Sequence, residues 1–520
     1  MRTLTKPRAT NARQPQIAAG KQSPRGRRVH KDMTVVQLAF IGVGGIVGAG
    51  FFLGSGVPIE AAGPSVLIAF LLGGLATAQV VGALTTMAVN HPAEGSFKAY
   101  ADLYIGPFAG FLQGWVYYVA SILTISSEAV AMSIFTHLWL PGIPTWMTAS
   151  AYALVILVIN AFGVSGFDRA ESLMSVVKIA AMVGLIVFLA CAWLIRTSGA
   201  AHPVTQGAFF PHGFSGLFQA MLIVIFAYAG IGVFGTAAAQ VKNPRTIDRS
   251  AWITMLTLVT LYMFSIGLLL LSEPWQQINT SASPFVLALA RSGVPFLAPA
   301  FNAVILVASF SVMAGSVYSA NQILVSLGEE REGPSFATYT AGPRHAQIGA
   351  LAVTACCVAG AIGISYILPD NVYNFLISAS SFCNLFMYVL ILWSFLRWRK
   401  SSQAKRDLPS QKIAAGVFSS RLLTARERHE SLSQKNVHIG VSVRDRIDGG
   451  IDGARDAKIS SLAFGQPVTT YITLLFFLIL SAYALWRVDQ RIGFYAFLAI
   501  IAFFSIVYLL LGRRAPRIRP

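Results

Sequence analysis

Twelve apolar windows of about 20 residues, separated by polar stretches of which one is long, leave this chain of 520 residues few ways to fold. They fall near residues 35–57, 65–89, 108–136, 146–164, 172–195, 216–240, 250–271, 296–327, 348–368, 371–396, 468–486 and 492–512. A helix rising 1.5 Å per residue crosses a hydrocarbon layer of about 30 Å in that length. In lipid only helices and closed barrels satisfy every backbone group internally, and windows this long favour helices. The residues are 55% hydrophobic and 12% charged, and the mean hydropathy is +0.63, which excludes an ordinary soluble domain. An all-α integral membrane protein with 12 transmembrane helices is therefore expected. The first window follows a basic stretch of over thirty residues and is long and glycine-interrupted, so it is expected to stay in the mature chain rather than leave as a signal peptide.

The net charge of +18 raises nucleic acid as a partner, but the placement of the charges argues for a membrane instead. With the N-terminus inside, basic residues gather in alternate polar segments. Twenty fall on the inner side even when the long loop after the tenth window is left out, against four outside: Arg196, Arg291, Arg487 and Arg491. Both termini are thus expected in the cytoplasm of a cell whose cytoplasmic membrane the chain crosses many times. The expected divisions are a basic tail at 1–33, a core at 34–398, a cytoplasmic loop at 399–466, two further helices within 467–512, and a tail at 513–520. The tail and the loop read as solvated segments. The tail lies near anionic lipid by charge alone.

The four cysteines all lie within windows, and no histidine sits at metal-ligand spacing from a cysteine or carboxylate, so neither a disulfide framework nor a metal site is expected. Enzyme signatures such as His-Glu-x-x-His and Gly-x-Ser-x-Gly are missing from the sequence, and no interior pair of carboxylates suits acid–base chemistry. No enzymatic activity and no cofactor is expected.

Function is concentrated in two places where the windows are interrupted. Gly42 to Gly50 carries five glycines inside the first window. A glycine costs about 1 kcal/mol relative to alanine in a helix, so this run predicts a break with free backbone groups. Such groups are tolerated at membrane depth only beside protein or a water-filled cavity. A second interruption, Ala227 to Gly235, falls in the sixth window. Paired broken helices point to a binding site near the midplane. A half-helix starting after a break offers N–H groups to a carboxylate, and one ending before a break offers carbonyls to an ammonium, so two breaks can hold a zwitterion. Val43, Gly44, Gly45, Ile46, Gly48, Ala49 and Gly50 from the first break, with Phe226, Ala227, Tyr228 and Gly230 from the second, are the candidate binding residues. Phe226 and Tyr228 are expected against the variable part of the ligand.

Only one acidic residue, Glu128, and one basic residue, Lys178, fall well inside a window by this reading. A charge at a helix centre costs roughly 2.5 to 3.5 kcal/mol on insertion scales, so each is a candidate for function. Desolvated acids and amines are suited to exchanging protons near neutral pH, which fits a carrier driven by the proton motive force.

The residues carrying these features resemble the amino acid permeases of the amino acid-polyamine-organocation superfamily, in particular the bacterial proton-coupled branch. The likeness rests on Gly44 to Gly56, on Gly63-Pro64-Ser65, and on a stretch holding Pro92, Gly95-Ser96-Phe97, Tyr100, Tyr104, Gly106-Pro107, Gly110-Phe111 and Gly114-Trp115. Phe226-Ala227-Tyr228 with Gly230, and Asn243-Pro244, continue it in order. The resemblance implies a five-plus-five inverted repeat with broken helices 1 and 6, two appended C-terminal helices, and alternating access. It also implies that the first break receives the substrate carboxylate and the second the amino group. Lys178 would stand in for a coupling sodium ion, and Glu128 matches an acidic residue of span 3. Ala49 stands where the family often has Thr. Gly232 and Gln240 stand where acidic residues are usual, and the loop after span 10 is longer than usual.

The expectation is a secondary transporter importing an amino acid by proton symport, with a neutral and apolar, branched side chain fitting best. A polyamine or organic cation carrier would want acids where Gly232 and Gln240 stand. An exchanger and a non-transporting amino acid receptor are the other readings. The sequence does not specify oligomeric state.

Overall fold

The computed structural model describes residues 33–91, 96–162, 167–198, 208–238, 241, 243–278, 282–341, 347–367, 372–406, 459–485 and 488–511. The expected N-terminal tail up to residue 32, Gln240, most of the loop and the tail from residue 513 lie outside them. Among the described residues the chain is all-helical, with no β-strand. Eight helical stretches there are long and apolar enough to cross a membrane, and four shorter apolar helices accompany them.

The first apolar window is three pieces: α1 (Val35–Ile46), α2 (Ala49–Phe52) and α3 (Gly56–Ala62). Thr34 and Gln37 start α1 with reciprocal side-chain caps at 3.2 and 3.0 Å. The helix stops because Val47 and Gly48 turn to extended backbone, and α2 begins directly after. Helix α4 (Val66–Asn90) and the short α5 (Phe97–Tyr104) lead to α6 (Pro107–Thr136). Pro107 opens α6 at a position where no intrahelical N–H is needed. Helices α7 (Thr145–Ala161) and α8 (Phe167–Ser198) follow. The sixth window is split into α9 (Gly213–Ala227) and α10 (Ile231–Ala238). The remaining helices are α11 (Pro244–Ser272), α12 (Pro284–Ala290), α13 (Leu297–Glu329), α14 (Ile348–Ile367), α15 (Val372–Arg406), α16 (Val468–Ala484) and α17 (Val488–Leu510).

Helix α6 is the central post, packing most extensively against α13 and α15, while α1 lies among α8, α10, α11 and α13. Exposed Leu, Ile, Val and Phe side chains stud α7, α8, α16 and α17. That is the pattern of helices whose outer faces meet lipid rather than water.

Two boundaries differ from the windows. Helix α8 starts at Phe167, five residues ahead of its apolar window, so Glu171 belongs to it and is fully buried. This corrects the expectation that Glu128 is the one acid inside a span: the Asp168-Arg169 charges hide the helix start from a hydropathy count. Helix α15 runs to Arg406, past the expected core limit at 398. At the other end of the loop the chain lies against α4, where the Ser460 amide donates to Thr86 Oγ1 at 3.0 Å and Gln466 Nε2 donates to Gln79 Oε1 at 2.8 Å. Gly82 permits this approach, since a Cβ there would meet the Ala463 nitrogen at 2.5 Å.

Candidate functional site

The two breaks touch. Gly230 has φ of +110°, which side-chain-bearing residues rarely adopt, and a Cβ on it would collide with the carbonyl oxygen of Gly45. Glycine at this point lets the backbone of one interruption rest directly on the other.

Side chains from distant helices satisfy the backbone groups that the breaks release. Glu128, on α6, accepts the Ala49 N–H through Oε2 at 3.0 Å, and Lys178, on α8, donates to the Gly44 carbonyl at 2.5 Å. An acid therefore caps the start of α2, and an ammonium meets a carbonyl near the end of α1. Each charge sits at the helix end of opposite polarity. Gly48 allows the first contact, because a Cβ there would come within 2.7 Å of Glu128 Oε1. Three tyrosine hydroxyls also bond here: Tyr262 donates to Ala227 O at the end of α9 at 3.0 Å, Tyr228 to Phe70 O of α4 at 3.1 Å, and Tyr373 to Ala49 O of α2 at 3.1 Å. All three side chains are buried, and each hydroxyl thereby finds the acceptor it needs. The Tyr228 and Tyr262 rings belong to an aromatic mass behind the breaks, in which Phe51 stacks on Tyr262 with centroids 3.9 Å apart.

On the other side the breaks border a hollow. Gly45, Ile46 and Gly50 line it from the first break, and Phe226, Ala229 and Gly230 from the second. Helix α6 contributes Tyr117, Ser121, Thr124 and Glu128; α10 contributes Gly232 and Val233; α13 contributes Val312 and Ser316; α15 contributes Asn384. Apolar walls thus carry a few hydroxyls, one amide and one acid, the composition expected of a site for a small polar solute.

Of the sequence-derived candidates, Gly45, Ile46, Gly50, Phe226, Gly230 and Glu128 line this hollow. Val43, Gly44, Gly48, Ala49, Ala227, Tyr228 and Lys178 lie behind or beside it. Tyr228 differs most from its expected place: its ring packs with Phe70 and Tyr262 instead of facing the hollow. The reason is its hydroxyl, which needs a buried acceptor and finds Phe70 O. Sequence reasoning missed Tyr117, Ser121, Thr124, Val312, Ser316 and Asn384. Polar residues at helical spacing in α6 (Tyr117, Ser121, Thr124 and Glu128) are a stripe that could have been read, whereas Asn384 carries no local signal. Gly232, where an acid was anticipated, lies under the Tyr117 ring, and a Cβ would overlap it.

Comparison with known proteins agrees with this architecture. The sequence model of the family described as amino acid permease matches residues 37–420. An uncharacterized transporter of Bacillus subtilis (strain 168) is 34% identical over 362 residues, 69% of this chain and 81% of the relative. An uncharacterized amino acid permease of the same organism is 31% identical over 392 residues, 72% of this chain and 82% of the relative. The aromatic amino acid transport protein of Escherichia coli (strain K12) is 30% identical over 385 residues, 73% of this chain and 84% of the relative. The chain is a multi-pass membrane protein and belongs to the amino acid permease family.

Proposed function

We propose that this protein imports a neutral amino acid by proton symport through alternating access, binding it in the hollow between the two helix breaks. The observation that carries the reading is the contact of the breaks beside a cavity that Glu128 lines. In this reading the helices form twelve spans, ten of them a five-plus-five inverted repeat whose first and sixth members are broken, with α16 and α17 appended. The termini and the loop between α15 and α16 face the cytoplasm, and the cell membrane is the site of action.

The Ala49 amide, first of the N–H groups after the break, is engaged by Glu128. A substrate carboxylate at the start of α2 therefore competes with Glu128 for these amides, and the ammonium turns to the carbonyls of the second break and to Glu128 itself. One proton moving with a zwitterion carries one positive charge inward, and about 2.3 kcal/mol per 100 mV supports a gradient of roughly 40-fold. Lys178 and Glu128 are the proton-coupling groups of this reading.

Ile46, Tyr117, Phe226, Val233 and Val312 present apolar surface to the ligand, and Gly232 and Ala229 leave room beside them. An apolar side chain of branched or aromatic kind suits these walls, and the aromatic amino acid transport proteins among the relatives favour the aromatic choice. A polyamine would meet Glu128 as the sole acid among the described residues lining the hollow, and that acid already caps α2. The test is uptake into proteoliposomes with a competition panel of the twenty amino acids, run with and without a pH gradient. Competition by neutral apolar amino acids and dependence on the gradient are expected. Competition by polyamines alone would replace this reading, and binding without flux would favour a receptor.

A further inference from the structure

We propose that Glu171 joins Lys178 and Glu128 in proton coupling, taking up and releasing a proton at the joint where α8 meets the half-helix α1 and α13. This rests on the permease reading above and adds a residue to it.

Glu171 is fully buried on α8. Its Oε2 accepts from the Ser311 hydroxyl of α13 at 2.7 Å, while its Oε1 has no hydrogen-bond partner. Oε1 instead rests on the α-carbon of Gly44, where a Cβ would overlap both it and Ser175 Oγ. Seven residues further along α8, on the same face, Lys178 donates to the carbonyl of that same Gly44. Acid and ammonium thus hold one residue of α1 from two sides, and the Coulomb attraction between them acts across it.

The three buried ionisable groups around the first break differ in how they are committed. Glu128 accepts from the start of α2 and Lys178 donates near the end of α1. Glu171 keeps a buried oxygen with no donor, in surroundings where an anionic oxygen without one is unfavourable. That oxygen is the place for a proton. The neighbours that bear on its titration are Lys178 on its own helix and the Ser311 hydroxyl on α13. Helix α11 carries Asp248 and Arg249 on its first turns, Asp168 and Arg169 open α8, and α1 offers no ionisable side chain.

The step is a single proton transfer. With the proton on Oε1 the carboxyl is neutral and the Lys178 ammonium stays on Gly44 O. When the O–H bond breaks and the proton passes to water, the carboxylate draws the ammonium toward itself and away from that carbonyl. The end of α1 then loses a charged partner on α8, which frees it to move against α8 and α13.

The experiment reconstitutes the full chain and Glu171→Gln in proteoliposomes and compares two readouts. One is counterflow, the exchange of labelled for unlabelled amino acid at equal pH on both sides. The other is accumulation driven by a pH gradient, measured over a range of external pH. The expected result for Glu171→Gln is counterflow within about threefold of the unaltered chain and at least a tenfold loss of gradient-driven accumulation. Glu171→Asp, which keeps the acid, should recover part of the accumulation with its pH dependence. Full accumulation with unchanged pH dependence in Glu171→Gln overturns the proposal. So does loss of counterflow and accumulation together in correctly inserted protein, because that marks a structural role. Absence of counterflow in the unaltered chain would refute the permease reading itself, and this inference with it.

Discussion

Glu128 does two things that a substitution can separate. Its carboxylate caps the Ala49 amide, and its charge faces the hollow. Glu128→Gln keeps an oxygen for the amide, whereas Glu128→Ala leaves a buried N–H without a partner, at a cost of about 1 to 3 kcal/mol. Thermal unfolding in detergent should therefore show a clear loss of stability for the alanine variant and a small one for glutamine, while uptake falls in both. Equal unfolding midpoints for all three proteins would show that the cap contributes nothing. Gly232 offers a second test at this scale. A methyl group there must push the Tyr117 ring, and overpacking costs about 1 to 3 kcal/mol. Because Tyr117 lines the hollow, Gly232→Ala is expected to raise KM for phenylalanine-sized substrates roughly tenfold or more, and less for small ones, as read from concentration-dependent uptake.

The broken helices show how far an element's own sequence fixes its shape. The first break was legible as a glycine-rich run, but it is narrower than that run: Val47 and Gly48 form the interruption, while Gly42, Gly44 and Gly45 stay helical in α1, where neighbouring helices approach too closely for a Cβ. The second was legible through Gly230, which supplies the positive φ that ends the pause between α9 and α10. Which groups would satisfy the freed backbone was not legible. Tyr262 and Lys178 stand 35 and 134 residues from the carbonyls they bond, and Glu128 stands 79 residues from the amide it caps. The break predicts its own test: Gly230→Ala meets both an unfavourable φ and the Gly45 carbonyl. Uptake should fall to background, and the unfolding midpoint should drop, since the strain is about 1 to 3 kcal/mol before the collision is counted. Retained uptake would mean that the two breaks need not touch.

Across the whole molecule, the end of the long polar loop is tied to the helices. The segment that leads into α16 hydrogen-bonds to Thr86 and Gln79 of α4. A deletion of residues 407–458, joined by a short Gly/Ser linker, should leave uptake within about twofold of the intact chain, since the entropy of closing a connection changes only slowly with its length. Extending the deletion through residue 466 should lower both stability and uptake, because it strips α4 of its packed partner at Gly82. Equal behaviour of the two deletions, measured by proteoliposome flux, would show that the docked segment is dispensable.

The sequence by itself determined that the chain lies in a membrane, where its helices are interrupted, and which family it resembles. Those properties depend on hydropathy and glycine content within windows of about 20 residues, and such windows carry their own information. Only the tertiary structure decided which side chains meet at the breaks. Glu171 was hidden by the charged start of its helix, and Asn384 and Tyr117 reach the hollow from spans far apart in sequence. Charge pairing and backbone capping act over a few ångströms of space, whatever the separation along the chain, so packing had to place these groups before their partners could be named.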